Sequence, residues 1–198
     1  DQYRIEEHWL PARDGVEVPV TLVYKEGAPL ASRPLYLTAY GAYGVSLPII
    51  FDPTRLPLLN RGFVLGIVHV RGGGDLGDAW HLSGRHMSKK NTFNDLIDVA
   101  NRLVEFGIGD PKMLAARGAS AGGTVIGVVA NEAPELFKVL VADVPFVDVI
   151  TTLLDPVLPL TDSDILEWGD PDVPADASYL FEYSPYHQVR EQAYPYLL

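Results

Sequence analysis

Between residues 63 and 144 the chain alternates three short strand-like runs with two helical segments, and that order leaves few folds open. "FVLGIVHV" (63–70) is apolar nearly throughout and β-branched, as expected of a central strand covered on both faces. "TFNDLIDVANRLVEF" (92–106) has a helical period that puts Phe93, Leu96, Ile97, Ala100, Leu103 and Val104 on one face. Thr92, with Asp95 three residues on, resembles a capping box that would start this helix. "KMLAAR" (112–117) reads as a buried strand, "AGGTVIGVVANEA" (121–133) as a helix despite its glycines, and "KVLVADV" (138–144) as a further strand. The alternation implies an α/β fold with a mostly parallel sheet and helices on both faces. "PLYLTAY" (34–40) adds a buried strand, and the alternating start of the chain adds antiparallel ones. A Pro- and Asp-rich region (155–178) is expected to form loops and short helices. "AYPYLL" (193–198) reads as the start of one more strand.

The chain has 198 residues, enough for a substantial core, and 47% of them are apolar. With 15 basic and 26 acidic residues, the formal charge of -11 disfavours nucleic acids and anionic membranes as partners. No apolar run approaches the roughly 20 residues that span a bilayer. Without cysteine, disulfides, thiolate metal sites and cysteine nucleophiles are excluded. The expected product is soluble and cytoplasmic, with the periplasm left open.

Gly118-Ala119-Ser120-Ala121-Gly122 is a G-x-S-x-G pattern between a predicted strand and a predicted helix. It has two readings. One is an ordinary small-residue turn. The other is a nucleophile on a sharp corner, where amides at the helix start stabilise an oxyanion. A serine nucleophile needs a base, usually a histidine oriented by a carboxylate. His8 falls in the antiparallel start and His69 in or at the end of a central strand. His81 and His86 follow the glycine-rich loop and are expected to be exposed. His187 alone follows Ser120, but only one strand separates the two, too few for the order serine, acid, base in such sheets. "RGGGDLG" (71–77) lacks the ending of a phosphate loop, with no helix expected directly after it, so its glycines are read as permitting close backbone passage. Asp155, Asp162, Asp164, Glu167, Asp170, Asp172 and Asp176 lack calcium-loop spacing and read as solvated acids, Asp164 excepted. No metal or other cofactor is expected.

The blocks "RGGGDLGDAWHLSGRHMSKKNTFNDLIDVANRL", "GASAGG", "PELFKVLVADVPFVDVITTLLDPVLPLT", "EWGDP" and "YSPYHQV…YPYLL" together resemble the catalytic domain of the prolyl oligopeptidase family, most of all its oligopeptidase B branch. The resemblance implies an α/β-hydrolase domain capped by a β-propeller and a serine peptidase acting on peptides. Ser120 matches the nucleophile. Tyr40 matches a tyrosine that donates to the oxyanion, with the Ala121 amide as second donor. Tyr43, Phe146 and Trp168 match the wall of the pocket for the residue before the scissile bond. Asp164 matches a carboxylate that would pair with Arg or Lys of the substrate. Leu166 stands where oligopeptidase B has a second glutamate, and Pro48 and Ile50 replace a pair of acids, which weakens the case for paired basic residues. The family's aspartate and histidine fall after the block ending in "YPYLL". Residues 1–198 therefore read as an incomplete hydrolase domain, inactive alone, whose partners are a peptide substrate, the remainder of its domain and a propeller. An esterase or acyl transferase on the same fold, and a non-catalytic fragment, are the alternative readings.

Overall fold

The computed structural model describes residues 2–158 and 162–198. Residues 159–161, within the expected loop-and-helix region, lie outside them. The strands are β1 (Tyr3–Pro11), β2 (Glu17–Lys25), β3 (Leu35–Thr38), β4 (Val64–Val68), β5 (Leu114–Ala119), β6 (Val139–Asp143) and β7 (Tyr196–Leu197). The helices are α1 (Leu56–Asn60), α2 (Asp78–Leu82), α3 (Lys90–Glu105), α4 (Ala121–Glu132), α5 (Val149–Leu154), α6 (Asp162–Trp168) and α7 (Pro174–Tyr183). One seven-stranded sheet has the order β1-β2-β4-β3-β5-β6-β7. The β1–β2 hairpin joins it antiparallel through β2 and β4, and every pairing from β4 to β7 is parallel. This is the expected alternation, and its topology is that of an α/β-hydrolase.

Strand periodicity divides the sheet into two unlike faces. Val18, Val20, Leu22, Leu35, Leu37, Val64, Val68, Leu114, Ala116 and Leu140 share one face and are almost fully buried. The long helices α3 and α4 close it, α3 through Phe93, Leu96, Ala100 and Leu103, α4 through Ala121, Val125 and Val129. The opposite face carries Thr21, Val23, Tyr36, Thr38, Leu65, Ile67 and Arg117. Short α1 and the loop that holds the exposed Ile49, Ile50 and Phe51 border it, leaving a groove of about 360 Å³.

Two local expectations need correction. The helix expected from Thr92 begins at Lys90. The Thr92 hydroxyl donates to the carbonyls of Arg71 (2.7 Å) and Gly84 (3.0 Å), and Asp95 accepts from the Arg71 guanidinium (2.6 Å) and amide (2.9 Å). A buried guanidinium requires a charged partner, and that demand outweighs a local cap. The second correction concerns "RGGGDLG", which leads directly into α2 at Asp78. Its glycines do bring backbones together: a Cβ at Gly72 or Gly74 would collide with the carbonyls of Gly41 or Gly44.

Candidate active site

Tyr40 and Ser120 meet because of where β3 and β5 lie. After β3 the chain crosses to β4 on one side, and after β5 to β6 on the other. Adjacent parallel strands whose connections diverge open a crevice at their carboxyl ends. The register Thr38↔Arg117 brings both chains out of the sheet at the same level.

Ser120 forms the corner between β5 and α4 with φ 54° and ψ -117°. Such a conformation costs a non-glycine residue about 1–3 kcal/mol and persists only when its surroundings enforce it. Here the Ser120 amide donates to the Asp143 carbonyl (3.0 Å), while its own carbonyl accepts from the amides of Gly123 (2.9 Å) and Phe146 (3.0 Å). The small neighbours are a steric requirement. A Cβ at Gly118 would collide with the Gly122 carbonyl, and one at Gly122 would lie 2.7 Å from the Ala39 carbonyl. The Ser120 side chain is left exposed at the start of α4. The Ala121 amide beside it belongs to the first helical turn and has no acceptor within the helix.

Tyr40 is half-buried, and its side chain interacts with that of Ser120. Burial, followed by the nearby Glu167 charge, pushes its phenol above the ordinary tyrosine range, while Ser120 acts in the opposite direction. The phenol thus stays protonated at neutral pH and able to donate.

Tyr43, Phe146, Asp164 and Trp168 come together beside this corner. The Tyr43 hydroxyl donates to Asp164 Oδ1 (2.8 Å) and accepts from Trp168 Nε1 (2.7 Å). The Phe146 ring stands edge-on to Trp168, with centroids 5.1 Å apart. Burial raises the Tyr43 phenol strongly, against the hydrogen bond from Trp168. The result is an aromatic wall with one carboxylate fixed on it. Leu166, Pro48 and Ile50 are exposed.

Nothing in its local sequence singles out Lys89, and Glu167 is expected to be a solvated loop acid. Both are buried. Lys89 Nζ donates to Glu167 Oε1 (2.8 Å) and to the Gly41 carbonyl (2.9 Å), and lies 4.5 Å from the centre of the Trp168 ring. The other Glu167 oxygen pairs with His81 Nε2 at 2.7 Å, so His81 is not the exposed residue expected. Asp176 also departs from the solvated reading, since it binds His86 Nε2 (2.7 Å) and the Asp170 amide (2.9 Å). No short-range pattern links Lys89 to Glu167, 78 positions away.

The remaining histidines are engaged elsewhere. His69 bridges Asp75 and Thr21, His8 contacts Glu6, and His187 contacts Ser184 with Asp148 further off. Among the described residues no group of three or more His, Asp or Glu side chains is placed to hold a metal ion, and no helix is long and apolar enough to cross a membrane.

A diverging parallel sheet with a strained strand-to-helix corner at its crevice places the chain in the α/β-hydrolase class. The sequence pattern of the Prolyl oligopeptidase family matches residues 50–198, and the chain belongs to that family. It is 48% identical over 197 residues to Protease 2 of Moraxella lacunata, a match that covers 99% of this chain and 29% of that protein. It is 46% identical over 196 residues to Dipeptidyl aminopeptidase BI of Pseudoxanthomonas mexicana, covering 98% of this chain and 27% of the relative. Oligopeptidase B from Trypanosoma brucei, solved in a closed form with covalently bound antipain, superposes with a TM-score of 0.95 at 41% identity, over 99% of this chain and 28% of that one. The chain thus spans little more than a quarter of the length of these proteins.

Proposed function

We propose that the protein containing this chain is a serine peptidase that hydrolyses short peptides through an acyl-enzyme on Ser120. The observation that carries this reading is the enforced positive-φ conformation of Ser120 at the switch point of the sheet, next to the Tyr40 side chain. In the proposed reaction the Ser120 hydroxyl attacks the scissile carbonyl and loses its proton to a base. The Tyr40 hydroxyl and the Ala121 amide donate to the resulting oxyanion. The amine leaves with a proton, and water then releases the acyl group. Since the hydrogen bonds of the five histidines run to Glu6, Thr21, Asp75, Glu167, Asp176 and Ser184 rather than to Ser120, and the chain spans just over a quarter of its relatives, we assign the base and its carboxylate to residues outside these 198. Residues 1–198 are then part of one hydrolase domain. A propeller is assigned to the same protein.

The complete protein is expected to cleave peptide amides as well as p-nitrophenyl esters. Ester turnover without any amide cleavage would replace the peptidase reading with an esterase one. Within the pocket, the aromatic wall suits the aliphatic stem of Arg or Lys, and Asp164 suits its charged end. Asp164→Asn is expected to lower the Arg-to-neutral ratio of kcat/KM by about 10- to 100-fold, the range of a hydrogen bond to a charged group. An unchanged ratio would remove Asp164 from this role.

A further inference from the structure

Lys89 and Glu167 touch more of the site than their positions in the sequence suggest. Lys89 immediately precedes α3, and only 1% of its side chain is accessible; for Glu167, at the end of α6, the figure is 2%. An ammonium group has three protons to place. One goes to Glu167 and one to the Gly41 carbonyl, and the charge sits over the Trp168 ring. Gly41 is the residue after Tyr40, and Trp168 is the residue after Glu167. The cation therefore spans the loop that presents the phenol and the helix that carries Trp168. His81 completes the tie. It binds the second Glu167 oxygen, and its ring lies 3.4 Å from where a Cβ of Gly44 would stand. Thr92 packs closely against this loop, since a Cβ at Gly41 would collide with Thr92 Cγ2. With Thr92 packed against it, the loop is held on its polar side by the bond from Lys89 to the Gly41 carbonyl.

We propose that the buried Lys89–Glu167 pair is a positioning device that sets the Tyr40 hydroxyl for oxyanion stabilisation and couples it to the substrate pocket formed by Tyr43 and Trp168. Lys89 and Glu167 are positioning residues, since neither is argued to touch substrate. The inference rests on the serine-peptidase reading above. Two features support a link to Tyr40 in particular. The Gly41 carbonyl is one peptide unit from the Tyr40 Cα. The Glu167 charge also acts on the Tyr40 phenol, and Lys89 partly neutralises that charge. Burial lowers the Lys89 pKa, and the charge of Glu167 and its hydrogen bond oppose that shift. The arrangement differs from a core salt bridge that only joins two elements, because one of its three contacts is a backbone carbonyl next to a reacting group.

The test is a mutant cycle in the full-length protein, with kcat and KM measured on an arginyl peptide amide. Lys89→Met is expected to lower kcat by about 100-fold, the scale of an ångström-sized displacement of a catalytic group, with KM changed far less. In a Tyr40→Phe background the same substitution should change kcat by no more than about twofold, because the group it positions is gone. Lys89→Met leaves Glu167 as an unpaired buried charge and can compromise folding. The pair Lys89→Met with Glu167→Gln removes both charges. It is expected to keep a cooperative melt and still show the low kcat, since the Gly41 carbonyl has lost its donor. A wild-type kcat in that folded double variant would overturn the inference, as would equal losses with and without Tyr40. If the wild-type protein shows no Ser120-dependent turnover, the functional reading fails, and this inference with it. If turnover is present and the losses are additive, the positioning role alone fails.

Discussion

Ser120→Ala in the full-length protein is expected to lower kcat by about 10⁶-fold, the scale seen when a serine peptidase loses its nucleophile. KM should change little, because the pocket of Tyr43, Phe146, Asp164 and Trp168 does not include the Ser120 hydroxyl. Fold stability should not fall. The interactions that enforce the corner are backbone bonds of Ser120 to Asp143, Gly123 and Phe146, and alanine preserves all of them. The positive φ disfavours alanine as much as serine, so the strain is unchanged. A variant that retains more than a trace of amide hydrolysis while folded would mean that another group carries the acyl transfer.

Tyr40→Phe has the second-largest expected effect. Loss of one oxyanion donor costs about 10²- to 10³-fold in kcat when the other donor remains, here the Ala121 amide. The ring continues to pack against the start of α4, where a Cβ at Gly122 would lie 3.5 Å from its Cδ2, so the fold should be unaffected. Because the phenol is raised above its ordinary range, wild-type Tyr40 remains a donor through neutral and mildly alkaline pH. Its ionisation should not limit kcat there. A kcat for Tyr40→Phe within about threefold of wild type would contradict the assignment, given the magnitude attached to a single donor.

The sheet and the corner were legible in the sequence because both are local. Apolar, β-branched runs such as "FVLGIVHV" carry their own burial, and the glycines around Ser120 sit where a side chain would collide, at Gly118 with the Gly122 carbonyl, at Gly122 with the Ala39 carbonyl and at Gly123 with Pro145. Tyr40, Tyr43, Asp164 and Trp168 were legible only through family likeness, since an aromatic at a strand end and an aspartate in a loop have common structural explanations. The parts that escaped are non-local. Nothing in its local sequence singles out Lys89, which stands beside Lys90, yet its partner is Glu167 and its second acceptor is Gly41. Thr92 and Asp95 satisfy a local capping pattern, yet Arg71, 24 residues before Asp95, takes the carboxylate. In both cases a buried cation had to be neutralised by whichever carboxylate the fold brought to it, and spacing along the chain does not encode that choice.

The most direct measurement is covalent. The full-length protein should be treated with a fluorophosphonate, which phosphonylates an activated serine with loss of fluoride, and the modified residue located by peptide mapping. A single adduct is expected on Ser120, with none in the folded Ser120→Ala variant. Equal labelling of both proteins, or an adduct on another residue in the wild type, would contradict it.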